Sequence, residues 1–319
     1  MILNIIYIIA GVALVLWGAD ILTEGASSLA RRMRVPEIVI GLTIVAAGTS
    51  APEFFVSLVS ALKGTPDLAV GNVLGSNIFN TMLIVGVSAM VAPMSIAKTT
   101  VIKDIPFAVC ASFVLFILCM DDFSSIGLSG NRISRIDGLI LLSGFAVFMG
   151  YTLKTAKISK SQETPNVSKD EKVWKAIAFL CIGLACLVFG SDVFVGSATE
   201  LASSLGISDG VIGLTVVAGG TSLPELATSV VAARKGRSAI AIGNVIGSNV
   251  FNLFGILGAT AVICPMQING ITMIDMSVLL FSILFVWFFS FTKYTLARWE
   301  GAVLTVSFFV YLGWLIYNI

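Results

Sequence analysis

The sequence predicts an all-α integral membrane protein of ten transmembrane helices, arranged as two inverted five-helix repeats. Three observations carry that prediction: extreme apolarity, ten apolar runs of membrane length, and a pair of motifs that recurs at one constant offset. Of 319 residues, 57% are hydrophobic and only 12% are charged, with a mean hydropathy of +1.01. A water-soluble domain carries about twice that share of charge, so the solvent for most of this chain is lipid.

A helix crosses the hydrocarbon core with about 20 apolar residues. Runs of that kind fall near 3–22, 37–62, 68–92, 101–120 and 136–153, and again near 174–194, 208–233, 238–263, 272–291 and 297–317. All are expected to be helical, because lipid offers no partner for backbone amides. The first run lacks the basic flank and small-residue cleavage site of a signal peptide and is kept as a mature helix. This divides the chain into a first five-helix repeat at 1–153, a linker at 154–173 and a second repeat at 174–319.

Orientation follows from the basic residues, which favour cytoplasmic loops. With ten alternating spans, 16 of the 19 Lys and Arg fall on one side, and Lys63, Arg132 and Arg135 on the other. Both termini are therefore expected outside and the 154–173 loop in the cytoplasm, in a cell (inner) membrane. That loop, rich in Lys, Ser and acidic residues, reads as a solvated linker.

Two absences narrow the chemistry. The chain has no histidine, which removes histidine proton relays, most zinc chemistry and Ser-His nucleophiles. Its five cysteines form no C-x-x-C pair and lie in or beside apolar runs, so neither disulfides nor a zinc site is expected. The chain is read as no enzyme, with no cofactor and no nucleic-acid partner.

An offset of 172 residues superposes the two halves without a gap. Residues 41–57, GLTIVAAGTSAPEFFVS, match 213–229, GLTVVAGGTSLPELATS; residues 71–80, GNVLGSNIFN, match 243–252, GNVIGSNVFN; and Asp20 matches Asp192. The motif regions are thus 41–80 and 213–252. A five-span unit duplicated in one chain runs through the membrane in opposite senses, the build of many secondary transporters, whose sites lie near the midplane where helices are interrupted.

Glu53 and Glu225 lie deep in apolar runs, each within the string G-T-S-x-P-E. An acidic residue at the bilayer centre costs about 2.5–3.5 kcal/mol and faces a partner, a cavity or an ion; no Lys or Arg stands deep in the membrane to pair with them. Pro52 and Pro224 precede the two glutamates and are expected to break their helices, loosening carbonyls at Gly48 and Gly220 with Ala46, Thr49, Ala218 and Thr221 in the same turns. Carboxylate, carbonyl and hydroxyl oxygens are the ligands that Ca2+ and Na+ prefer. In the second motif Ser76 and Asn80 share a helix face, as do Ser248 and Asn252, and add neutral oxygens. Asn72 and Asn244 read equally as ligands or as interhelical ties. The G-x-x-x-G spacings Gly71/Gly75 and Gly243/Gly247 read as close-packing positions. Two carboxylates give a charge near minus two, matched by one Ca2+ or two Na+. Asp20 and Asp192 are placed near helix ends as interfacial anchors.

The strings GTSAPE with GNVLGSNIFN and GTSLPE with GNVIGSNVFN resemble the repeated motifs of the sodium/calcium exchanger family, and the resemblance covers essentially the whole chain. It implies that Glu53 and Glu225 are carboxylates shared by Ca2+ and Na+, that Thr49 and Thr221 offer carbonyls to Ca2+, and that Ala46 and Ala218 offer carbonyls to flanking Na+. It further implies hydroxyl ligands from Ser50, Ser76, Ser222 and Ser248. Asn80 and Asn252 occupy a central position where some members carry Asp in the second repeat; Asn in both disfavours K+ co-transport. The resemblance implies Na+/Ca2+ antiport by alternating access, with the first and sixth helices sliding over the rest in a functional monomer.

The nearest alternative is a proton-coupled antiporter of Ca2+ or another divalent cation, because buried glutamates also carry protons. The serines and asparagines favour sodium. An ion channel is disfavoured by the in-chain repeat, and an intramembrane hydrolase lacks histidine, an aspartate pair and a Ser-Lys dyad.

Overall fold

The computed structural model describes residues 2–119, 132–162, 173–205, 218–268 and 270–317. Its helices are α1 (Ile2–Met33), α2 (Glu37–Thr49), α3 (Ala51–Leu62), α4 (Pro66–Val91), α5 (Thr100–Leu118), α6 (Arg135–Gln162) and α7 (Val173–Ser204). The remainder are the single turn α8 (Ala218–Thr221), then α9 (Leu223–Arg234), α10 (Ser238–Ile263), α11 (Met273–Ser290) and α12 (Arg298–Tyr317). Eight of these are individually long and apolar enough to cross a membrane, and α2 with α3 makes a ninth span bent by 45°. The seventh expected run, 208–233, is represented by α8 and α9, since 206–217 lie outside the described residues.

Several expected boundaries need correction. The first apolar run spans 3–22 and the sixth 174–194, but α1 and α7 are each 32 residues long. Hydropathy marks only the lipid-immersed stretch, whereas a helix continues as long as its polar residues meet water and its apolar ones pack, as Leu29 and Ala30 do. Asp20 and Asp192 consequently lie well inside their helices and not near the ends. The fifth apolar run ends at 153, yet α6 continues to Gln162 and absorbs the start of the expected 154–173 linker; 163–172 lie outside the described residues.

The interior is built around α4 and α10, whose most apolar windows are 72% buried, against 22–39% for the other single-helix spans. The outer helices turn large side chains such as Phe55, Phe113, Phe189 and Phe288 outward, as expected where the solvent is lipid.

Small residues let the helices approach. A Cβ on Gly18 would come within 2.9 Å of the Gly183 carbonyl, and one on Gly183 within 2.8 Å of the Gly18 carbonyl, so α1 and α7 touch backbone to backbone. The same contact joins α4 to α12 through Gly86 and Gly301, and α10 to α6 through Gly258 and Gly138. Gly86 and Gly258 are one 172-residue offset apart. The α3 and α9 helices also end alike, on Gly64 at φ +78° and Gly236 at φ +72°, a left-handed conformation that glycine adopts without steric cost.

Two short antiparallel pairs and a polar cluster tie the ends together. Strand β1 (Met94–Ser95) pairs with β4 (Thr295–Leu296), and β2 (Arg132–Ile133) pairs with β3 (Met266–Gln267). Asp275 closes a capping box with Thr272 at the start of α11 and accepts a 2.7 Å hydrogen bond from the Tyr311 hydroxyl. The Glu37 carboxylate accepts from Ser27 and, at 3.0 Å, from Arg237, joining α1, α2 and the turn before α10.

Candidate cation site

The break between α2 and α3 falls on Ser50 (φ −82°, ψ 5°), and its counterpart between α8 and α9 falls on Ser222 (φ −89°, ψ 9°). Each break sits two residues before a proline, which cannot donate to the preceding turn and which the first turn of a new helix accepts readily. At the first break, the Ala46 carbonyl accepts the Ser50 amide at 3.0 Å and the Gly48 carbonyl also accepts a cap amide. Gly48 is therefore not left open, as the loss of the Pro52 amide alone would suggest.

The two breaks bring the glutamates onto each other's serine. Ser50 donates to Glu225 Oε1 at 3.1 Å, and Ser222 donates to Glu53 Oε1 at 3.1 Å. Ser222 Oγ also lies 3.2 Å from Ser76 Oγ on α4. Glu53 and Glu225 are wholly buried, and the second carboxylate oxygen of each has no partner. An unpaired carboxylate oxygen in a dry interior is costly and calls for a cation or a proton.

Neutral oxygens surround them. Ser248, Asn80 and Asn252 are buried, and Asn80 Oδ1 and Asn252 Oδ1 lack hydrogen-bond partners. Asn80 and Asn252 stand in π-helical stretches, Phe79–Ile84 and Phe251–Ile256, inside α4 and α10. A π-bulge shifts the side-chain register within a helix and is frequent at functional sites. Nothing in the apolar pattern distinguishes π from α winding here.

Thr49 Oγ1 lies 3.1 Å from the Val45 carbonyl and 3.1 Å from Asn244 Oδ1. Thr221 and Ala218 lie in α8, the turn before Ser222.

Asn72 and Asn244, left undecided by the sequence, are interhelical ties. Asn72 Nδ2 donates to the Glu53 carbonyl at 3.2 Å and to Ser57 Oγ at 2.9 Å; Asn244 Nδ2 donates to the Glu225 carbonyl at 3.3 Å and to Ser229 Oγ at 3.0 Å. Each holds a glutamate-bearing helix against the central helix of its own half. Gly243 and Gly247 fulfil their packing role, since a Cβ there would meet the Ile38 carbonyl at 2.9 Å and Ala46 at 2.7 Å. A Cβ on Gly71 or Gly75 would meet nothing within 4 Å among the described residues, and the equivalent of Ile38, residue 210, lies outside them.

Among the described residues no three Asp, Glu or Cys side chains gather as a metal cluster, so the polar centre rests on two carboxylates and a shell of neutral oxygens. Apolar helices of membrane length closed around such a centre define an integral membrane ion-transport protein.

Comparison with known proteins places it further. Residues 3–154 and 175–317 match the sodium/calcium exchanger protein family, and the chain belongs to that family. It is 36% identical to inner membrane protein YrbG of Escherichia coli, over 99% of this chain and 97% of that one. It is 31% identical to sodium/calcium exchanger MaX1 of Methanosarcina acetivorans, over 98% and 99%. A solved structure of the sodium-calcium exchanger NCX_Mj soaked with Na+ and Sr2+ superposes with a TM-score of 0.84 at 30% identity, covering 98% of both chains. The family is one of membrane antiporters of Ca2+ and other cations and not of enzymes.

Proposed function

We propose that the protein exchanges Na+ for Ca2+ across the membrane by alternating access, with both ions competing for Glu53 and Glu225. The observation that carries this reading is the reciprocal pair of serine–glutamate bonds, which leaves one bare, buried oxygen on each carboxylate. Ca2+ takes six to eight oxygen ligands. Glu53, Glu225, Asn80 and Asn252 with the carbonyls of Thr49 and Thr221 supply a set of that size. Ser50, Ser76, Ser222 and Ser248, with the carbonyls of Ala46 and Ala218, supply neutral oxygens for flanking Na+. Two negative charges balance one Ca2+ or two Na+, so either load neutralises the site and an empty site repels itself.

In this reading the ten spans form two inverted repeats, and α1 and α7 slide as a unit over the other helices. The backbone contact of α1 with α7 through Gly18 and Gly183 supports their moving together. Both termini lie outside and the 154–173 segment in the cytoplasm, in keeping with the sixteen basic residues on one side. One chain suffices, because both glutamates and their partners come from one chain.

The test is uptake of radiolabelled calcium into sodium-loaded vesicles diluted into sodium-free buffer. Uptake that needs the sodium gradient, and is lost in Glu53→Gln and in Glu225→Gln, supports the exchanger reading. Uptake that follows a pH gradient and ignores sodium would overturn sodium coupling and leave a proton-coupled antiporter.

A further inference from the structure

Four asparagines stand one helical turn apart on the two central helices: Asn77 and Asn80 on α4, Asn249 and Asn252 on α10. Offset by 172 residues, Asn77 corresponds to Asn249 and Asn80 to Asn252. All four are buried, none more than 2% exposed. Asn80 Nδ2 donates to Asn249 Oδ1 at 3.2 Å, while Asn80 Oδ1 has no partner.

A primary amide carries donors on one branch and an acceptor on the other, and little steric preference separates the two orientations. A cation tolerates only the oxygen branch, so whichever group holds the amine branch decides whether Asn80 can act as a ligand. A carbonyl oxygen such as Asn249 Oδ1 accepts but never donates. Pinning Nδ2 on that side turns Asn80 Oδ1 to the other.

The second half carries the same elements, with the bond not made. Asn77 Nδ2 is engaged by the Val73 carbonyl at 2.6 Å, which leaves Asn77 Oδ1 without a partner. Both the amine and the oxygen of Asn252 are buried and unpaired. The bond that repeats Asn80–Asn249 would run from Asn252 Nδ2 to Asn77 Oδ1, and both its ends are free.

We propose that Asn249 is a positioning residue that sets the amide of Asn80 with its oxygen toward the cation, and that Asn77 does the same for Asn252. This rests on the exchanger reading above. Residues that orient metal ligands without touching the metal commonly change affinity by about 10- to 100-fold when removed.

The test is a double-mutant cycle read as Ca2+ affinity, measured by calorimetry on the purified protein without a sodium gradient. Asn249→Ala is expected to weaken Ca2+ binding about tenfold in the otherwise native chain and to add nothing in an Asn80→Ala background. Asn249→Asp, which keeps an accepting oxygen, is expected to restore binding and covers the case in which the alanine variant fails to fold. An equal loss from Asn249→Ala in both backgrounds would overturn the proposal, as would Asn249→Asp binding no better than a folded Asn249→Ala. Native protein that binds Ca2+ and shows this cycle, yet takes up calcium without regard to sodium, would overturn sodium coupling while sustaining the positioning role. Native protein that binds no Ca2+ at all would overturn both.

Discussion

Lys235 Nζ lies 2.8 Å from Asp20 Oδ1, while Lys63 and Asp192, which hold the same places in the other half, make no ion pair among the described residues. Lys235 caps the end of α9, the helix that carries Glu225, and it also reaches Glu24 at 3.7 Å and the Asp20 carbonyl at 3.1 Å. The helix that carries Glu225 is thus tethered to α1, and the repeat-related tether is open.

That tether is half exposed, so its contribution is about 0.2–1 kcal/mol, a bias of at most about fivefold between two conformations. Lys235→Ala is expected to change the turnover of exchange by no more than about that factor. A rise in ionic strength made with a salt that is not transported should reproduce the change in the native protein and have no effect in the variant. Turnover measured in vesicles at two choline chloride concentrations checks this.

Glu53→Gln and Glu225→Gln are expected to fold, because the amide oxygen still accepts the bond from Ser222 or Ser50. What they lose is the charge that meets the cation. In the native protein Ca2+ at a hundred times its Kd should stabilise the fold by about 2.7 kcal/mol, and both variants should lose that increment. Melting curves with and without Ca2+ give the answer, and a variant that melts early in both conditions would show that the glutamate serves the fold as well.

Ser222→Ala should harm transport more than Ser50→Ala. The Ser222 hydroxyl stands within 3.2 Å of both Glu53 and Ser76, whereas Ser50 donates to Glu225 alone. A hydrogen bond to a charged group contributes about 1.5–3 kcal/mol, which corresponds to roughly ten- to a hundredfold in apparent affinity. Michaelis constants for Na+ and Ca2+ in the two variants test the order, and the Na+ constant is expected to move further.

Gly18→Val is expected to separate α1 from α7 and to abolish exchange, since even a Cβ would come within 2.8 Å of Cys186 Cβ and 2.9 Å of the Gly183 carbonyl. Overpacking of this kind costs about 1–3 kcal/mol. Gly313→Val is the control, because a Cβ there meets nothing within 4 Å. Thermal stability in detergent should fall for the first and stay level for the second.

The site was largely legible because its polar residues are conspicuous in an apolar chain. Glu53 and Glu225 could not stand in lipid unsupported, and they recur at one offset together with Ser50, Ser222, Ser76 and Ser248. The roles of Asn72 and Asn244 were not legible, because an amide that ties helices and one that meets a cation look alike in sequence. The lengths of α1 and α7 were also missed, since the apolar window ends where lipid ends while the hydrogen-bonded helix does not.

The sequence alone determined the solvent, the helical class, the duplication and the paired carboxylates, because each follows from composition, length or repetition along the chain. The tertiary structure alone decided that each serine serves the glutamate of the other half, that Asn249 faces Asn80, and that the tether at Lys235 is made while its counterpart is open. Those partners lie some 170 to 215 residues apart in sequence. Only the packing of broken and π-bulged helices brings them within hydrogen-bonding distance, and that packing depends on backbone geometry that residue identities do not display.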